Sequence, residues 1–376
     1  MTYDIAIIGA GIVGAACAMR LAKEGFKVAV IEANEIASGS TAAGMGHIVV
    51  MDDSEAQFSL TNFSQKLWNE ISAQLPLDCE YENCGTIWVA ANGEEMQEAR
   101  RKKHFYGSRG VEAEILDEKS LREAEPNLRE GLAGGLLVPN DSVVYQLCAT
   151  RYFLETTLSN NVRLIENTCV TGITGAGVKF ANGDLLKAEK VIIAGGFWSR
   201  ELIQDLKIVR RKGHLVITER YPNFVKHQLV ELGYLKSAHS SETESVAFNI
   251  QPRMTEQLLI GSSRQFGNQN KEIDYKILKQ MMERAFEFIP KLRELSALRI
   301  WTGFRPATPD NLPYIGAHPR IKNTYVAAGH EGLGITTSLG SAEILTDEIL
   351  GRKSEIDRKP YSPARFSSVN KVGSNL

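Results

Sequence analysis

The stretch Asp4-Ile-Ala-Ile-Ile-Gly9-Ala-Gly11-Ile12-Val13-Gly14 constrains this chain more than any other. Ile5 to Ile8 is an apolar run short enough for a buried strand, and Gly9 ends it. Gly9 permits a tight turn, and Gly11 lets backbone N–H groups reach a pyrophosphate at a helix N-terminus. Gly14 lets helix and strand pack closely. A second apolar strand, Val28-Ala-Val-Ile, leads to Glu32, where a carboxylate can accept bonds from ribose hydroxyls. Strand, glycines, helix, strand and terminal acid, in that order, predict an adenine-dinucleotide site. Its expected contacts are Gly9, Gly11, Ile12, Val13, Gly14, Glu32 and Ala33.

The following stretch, Ser38-Gly-Ser40-Thr41-Ala-Ala43-Gly44-Met45, favours FAD over NAD. It is small-residued and carries no charge between Glu35 and His47. Side chains that small let backbone amides approach a second phosphate and a flat ring system. Ser40, Thr41, Ala43, Gly44 and Met45 therefore join the expected cofactor contacts.

Length and composition set the frame. A chain of 376 residues is long enough for two domains around a substantial core. Its 43% hydrophobic and 23% charged residues are globular averages, and a net charge of −2 gives no footprint for nucleic acid. The clusters Arg100–Lys103 and Arg210–Lys212 read as solvated faces. Five cysteines without regular spacing point to a reducing compartment, without disulfides or an iron–sulfur site in this chain. No His, Cys or Asp cluster has metal spacing. The start lacks a basic leader and a cleavage site, and no apolar segment reaches the roughly 20 residues of a membrane span. A cytoplasmic protein is expected.

Further along, periodicity and breakers predict helices near 55–74, 94–110, 117–125, 144–158, 197–206, 274–288 and 335–350, with Asp52 and Asp53 capping the first. Strands are expected near 80–90, 136–139, 162–173, 178–180, 190–196, 215–218, 246–250, 258–261 and 324–328, with a hairpin turn at Asn182-Gly183. The tail from Arg352 reads as loose. Strand-and-glycine patterns of the first kind return late in the chain, so the domains are interleaved in sequence.

Three side chains could carry chemistry. Arg305 enters a proline-stiffened loop, Arg305-Pro-Ala-Thr-Pro-Asp310. Its planar fork suits a substrate carboxylate, although a structural pair with Asp310 fits the spacing equally well. His330, in Gly329-His-Glu-Gly332-Leu333-Gly334-Ile335-Thr336, is expected to open a helix whose free amides and dipole face a flavin. It is as readily a buried structural histidine as a catalytic one. His47 follows the small-residue loop and is expected near the cofactor.

These motifs together resemble the D-amino-acid oxidase-like flavoproteins. The resemblance rests on the glycine fingerprint with Glu32, the Ser/Thr-Ala-Ala-Gly-Met loop and Val191-Ile-Ile-Ala194-Gly195-Gly-Phe-Trp198-Ser199. It extends through Trp301-Thr-Gly303-Phe-Arg305-Pro-Ala-Thr-Pro-Asp310 and the closing Gly-His-x-x-x-Gly-x-Thr. It covers nearly the whole chain in order. It implies an α/β fold, with a glutathione-reductase-type FAD-binding Rossmann domain made of 1–48, 141–208 and 300–376. An interleaved mixed-sheet substrate domain would comprise 49–140 and 209–299. It implies that Arg305 binds a carboxylate and that Val170 bonds adenine through its backbone. Ala194, Gly195, Trp198, Gly303, Gly329, Gly332, Leu333, Gly334, Ile335 and Thr336 complete the expected cofactor contacts. The run Ala42-Ala-Gly-Met-Gly-His-Ile-Val-Val-Met-Asp-Asp-Ser54 looks most like the FAD subunits of D-hydroxyproline dehydrogenases, with those of opine oxidases and hydrogen cyanide synthases as relatives. That likeness implies oxidation of an amino acid C–N bond, and partner subunits carrying an iron–sulfur cluster. The sequence departs from sarcosine oxidase in having no cysteine in 301–340, so FAD is expected to bind non-covalently.

Overall fold

The computed structural model describes residues 2–158, 161–233, 244–267 and 270–366. Thr2–Ile8 lies at the middle of a sheet ordered Tyr314–Ala317, Thr324–Ala328, Leu185–Ile193, Thr2–Ile8, Val28–Ile31, Val162–Ile165. Every neighbouring pair in that order is parallel except the first, and Val170–Thr174 and Gly177–Phe180 extend the sheet as an antiparallel hairpin beside Leu185–Ile193. Val28–Ile31 is buried throughout, as a strand covered on both faces requires. Helices Ile12–Lys23, Gln146–Leu158 and Ser338–Ile349 close one face through a core containing Ala15, Ala18, Phe153, Leu339 and Leu345. Gly14 makes this packing possible: a Cβ there would lie 2.0 Å from the Gly9 carbonyl oxygen.

The second sheet is ordered Ala297–Ala307, Val209–Arg220, Gln257–Phe266, Glu244–Pro252, Gln228–Glu231, Thr86–Ala90, Gly134–Val138, Glu114–Asp117. It is mixed, because Gln228–Glu231 runs parallel to Thr86–Ala90 while the other pairs are antiparallel. Helix Tyr275–Phe288 covers one of its faces, with Met281, Ala285 and Phe288 in the core.

Several sequence expectations need correction. The clusters read as solvated each bury a lysine. Lys102 is buried against Asp52, and Lys212 reaches Asn270 Oδ1 at 3.1 Å and the Glu272 carbonyl. A run of cations inside a strand sends alternate side chains to opposite faces, so Arg211 and Lys212 are both drawn in and each needs its own partner. With Asp52 engaged by Lys102, the cap of helix Glu55–Ser72 is Ser54, whose Oγ accepts from Gln57 N at 3.1 Å. The closing helix begins only at Ser338, because Gly332 and Gly334 leave 330–337 as separate turns. The helix expected over 197–206 is reduced to Ser199–Leu202 after one 3₁₀ turn, and the strand Glu114–Asp117 was not foreseen. The tail is anchored as far as 366. Tyr361 is buried and donates to the Ala56 carbonyl at 2.6 Å. Residues 367–376 lie outside the described residues.

Candidate active site

At the C-terminal edge of the first sheet the chain builds a cradle for an elongated anion. Helix Ile12–Lys23 has Gly11 at its N-cap, which offers no side chain of its own, and no acid in its first turn, so its amide end suits an anionic ligand. Thr41 Oγ1 accepts from Ile12 N at 3.2 Å, and a Cβ on Gly11 would meet that same oxygen at 3.2 Å. Glu32 stands at the tip of the second strand, its carboxylate accepting from Ala10 N at 2.8 Å and Asn34 N at 3.0 Å. Ala33 is exposed beside it. Across the cradle, Ala194 and Gly195 follow Leu185–Ile193, and Val170 starts the hairpin extension. Trp198 is 56% exposed and stacks on the Arg210 guanidinium, 4.6 Å from the ring centroid.

The small-residue loop joins the two sheets. Ser40 Oγ donates to the Phe304 carbonyl at 2.7 Å, Gln146 Nε2 to Gly44 O at 2.8 Å, and Gln251 Nε2 to Met45 O at 2.7 Å. Its glycines and alanines are needed for this approach. A Cβ on Gly303 would fall 2.2 Å from Ala43 Cβ, and one on Gly44 would fall 2.8 Å from Ile335 Cδ1. Side chains large enough for an ordinary core would push the sheets apart here.

Arg305 lies on the strand Ala297–Ala307, directly across from Arg211, with Gly303 across from Gly213. Its guanidinium lies over Gly213 and donates from Nη1 to the Ser263 carbonyl at 2.9 Å. The alternative pair with Asp310 does not form, because Asp310 is engaged by Arg365 at 2.8 Å. Two cations opposite each other on adjacent strands repel. Glu331 answers this by accepting from Arg211 Nη1 at 2.9 Å. Burial opposes ionisation of Glu331, but Arg264, Arg305 and Arg211 overcome it and hold its carboxyl below the usual range. The Glu331 carboxylate thus stays ionised beside these guanidinium groups.

His47 and His330 separate in role. The Nε2 of His47 is buried without a hydrogen-bond partner, as is Oε1 of Gln251. Burial pushes the His47 imidazole down to about 4, with Gln251 opposing and the Arg305 charge adding to the effect. It is neutral at physiological pH and lies close to the candidate anchor. His330 is turned away: its Nε2 meets Ser341 Oγ at 3.0 Å in the core, and burial pushes it down to about 3. The geometry gives it the structural part of the two readings, that of tying the glycine-rich loop to helix Ser338–Ile349. The rest of that loop is held by Thr336 Oγ1, which donates to His47 O at 2.8 Å, and by Trp68 Nε1, which donates to Thr336 O at 3.1 Å. Gly329, at φ +82°, has Thr308 against its missing Cβ at 2.6 Å, and Gly332 lies beside Arg305. Leu333, Gly334 and Ile335 continue the same turns toward helix Ser338–Ile349.

Residues 4–348 match the family described as FAD dependent oxidoreductase. The chain belongs to this family. It is 27% identical to glycine oxidase of Geobacillus kaustophilus (strain HTA426), over 99% of this chain and 98% of the relative. It is also 27% identical to hydrogen cyanide synthase subunit HcnC of Pseudomonas aeruginosa, over 97% of this chain and 96% of the relative. Among solved structures it superimposes on L-proline dehydrogenase from P. horikoshii with a TM-score of 0.88 and 25% identity, covering 97% of this chain and 98% of that one. The protein is an FAD-dependent oxidoreductase, and the cradle fits the cofactor. Its open helix terminus, its terminal carboxylate and the buried unpartnered atoms of His47 and Gln251 are all features a bound dinucleotide and substrate would satisfy. Among the described residues, no helix is long and apolar enough to cross a membrane.

Sequence reasoning missed Gly213, Ser263, Gln251, Arg211 and Glu331. Gln251 and Ser263 lie just past the strands expected at 246–250 and 258–261, which the structure extends to Glu244–Pro252 and Gln257–Phe266. Only Gly213 and Gly303 carried a signal, since glycine inside a strand marks a close approach.

Proposed function

We propose that this protein oxidises the C–N bond of a secondary amino acid, D-hydroxyproline or D-proline, and passes the electrons to a partner subunit carrying an iron–sulfur cluster. The observation that carries the reading is Arg305, held by the Ser263 carbonyl and released from Asp310, with the cofactor loop packed on its own strand. Its fork would take the substrate carboxylate in two parallel bonds. Gln251 Oε1, beside the neutral His47 ring, leaves a buried acceptor for a substrate N–H. Gly9, Gly11, Gly14, Glu32 and the 38–45 loop would hold FAD non-covalently, with Val170 at the adenine end. Bound FAD supplies the acceptor for the hydride that leaves the carbon bearing nitrogen. With the proton of the substrate ammonium first lost to solvent, the lone pair of the neutral amine drives that departure, so no side chain is needed as a base at carbon. The resulting imine takes up water.

The partner follows from the sequence resemblance to FAD subunits of multi-chain dehydrogenases and from the likeness to a hydrogen cyanide synthase subunit. The five free cysteines suit a cytoplasmic location. The likeness to glycine oxidase favours a second reading, an enzyme that reduces oxygen directly. A panel of D-hydroxyproline, D-proline, sarcosine, glycine and an opine, assayed with a dye acceptor and then with air alone, tests both readings. The proposal expects dye-linked turnover with the cyclic amino acids and slow turnover with air. Rapid peroxide formation by the isolated chain would overturn the partner, and preference for glycine would overturn the substrate.

A further inference from the structure

Behind Arg305 lies a buried polar relay formed by His214 and Ser263. Strands Val209–Arg220 and Gln257–Phe266 pair regularly at Lys212–Gln265 and again at Val216–Ile260, and the register shifts between. A shift also falls between the pairs Val246–Ser263 and Asn249–Gly261 on the other side. Ser263 sits inside this irregular stretch, and its carbonyl accepts from Arg305 Nη1 at 2.9 Å. A strand N–H buried at such an irregularity is costly unless it finds another acceptor. The Ser263 hydroxyl fills the gap by accepting from His214 N at 2.9 Å.

The imidazole of His214 completes the arrangement. Its Nε2 accepts from Asp274 N at 3.0 Å, which places the ring proton on Nδ1. Nδ1 then donates to Ser263 Oγ at 2.9 Å. His214 and Ser263 are almost completely buried. Burial, with the Lys212 charge, pushes His214 down to about 4, so the ring stays neutral and this tautomer persists across the physiological range. Asp274 is fixed in turn as the cap of helix Tyr275–Phe288.

We infer that His214 and Ser263 are positioning residues for the carboxylate anchor. The helix cap sets the ring, the ring sets the Ser263 hydroxyl, and Ser263 turns its carbonyl to hold the Arg305 fork. This rests on the reading of Arg305 as the carboxylate anchor. The role is in binding, so loss of the relay weakens carboxylate affinity, while the glycine cradle and Glu32 on the first sheet keep FAD bound.

The holoenzyme titrated with pyrrole-2-carboxylate, followed by the flavin difference spectrum, tests this. Arg305→Lys, Ser263→Ala, Ser263→Thr and His214→Ala are compared. A misplaced guanidinium loses its two-bond geometry, so Ser263→Ala and His214→Ala each weaken binding about tenfold. Ser263→Thr keeps the hydroxyl and stays within about twofold of wild type. FAD content is unchanged throughout. If His214→Ala fails to fold, the serine pair decides the matter, because a purely structural loss would not be rescued by the hydroxyl alone. Ser263→Ala binding as tightly as wild type, while Arg305→Lys is weakened, would overturn the relay and leave the anchor standing. Arg305→Lys binding as tightly as wild type, or no spectral change in wild type, would overturn both.

Discussion

Gly213→Ala is a single-methyl test of how closely the anchor is fitted. The added Cβ would fall 2.6 Å from Arg305 Nη1 and 3.0 Å from the Ser263 carbonyl oxygen. Ordinary contact begins near 3.5 Å, so the guanidinium must retreat by about 1 Å. The strand bearing Arg305 cannot move away instead, because Gly303 on that strand already packs against Ala43. Retreat breaks the charge-assisted bond from Arg305 to Ser263, worth about 1.5–3 kcal/mol. That corresponds to roughly tenfold to hundredfold in apparent affinity. KM for the amino acid should rise by that factor in a dye-linked assay, and saturating turnover should fall much less. FAD content and the visible spectrum report whether the cofactor side is intact. An unchanged KM in a folded, flavin-loaded variant would refute the close fit of Arg305 over Gly213.

Glu32→Ala removes the carboxylate that accepts from Ala10 and Asn34 and would meet the ribose, so FAD should dissociate about tenfold more readily or worse; equilibrium dialysis of the flavin measures this. Acid precipitation should release all flavin into the supernatant, and colour retained in a washed precipitate would contradict non-covalent binding. Asp141 gives a pH test. Burial pushes its carboxyl up to about 7, although hydrogen bonds from Val50 and Gln65 pull it back. A raised folded pKa means that the folded state binds more protons, so wild type loses stability as pH rises from about 4 through 7, by up to about 1.4 kcal/mol per pH unit. Asp141→Asn keeps an oxygen for Val50 N and Gln65 Nε2 and should gain on wild type between pH 5 and 7 in urea unfolding. A constant difference between the two proteins would contradict the shift.

The cofactor half of the fold was legible because its constraints are local. Gly9, Gly14 and Glu32 act within one strand–helix–strand unit, where short spacing and small residues write the geometry directly. Arg305 could be singled out, yet its partner could not, since Asp310 is near in sequence while Arg365 and Ser263 arrive only by folding. His330 shows the same limit: its ring could face either way until Ser341 took it into the core. Lys102 and Lys212 looked like surface charge because composition cannot reveal that Asp52, or the Glu272 carbonyl, waits inside. The late start of helix Ser338–Ile349 follows from Gly332 and Gly334, which matter more there than the apolar pattern that suggested an earlier start.

The central claim is that Arg305 anchors the carboxylate of an amino acid that reduces the flavin. Anaerobic mixing of wild type and Arg305→Lys with D-proline or D-hydroxyproline, following the visible flavin band, tests it most directly. The expected result is complete bleaching of wild type, with the variant needing at least about tenfold more substrate for half-maximal rate once the two-bond fork is lost. Bleaching of both proteins at the same concentrations, or of neither by any amino acid, would contradict it.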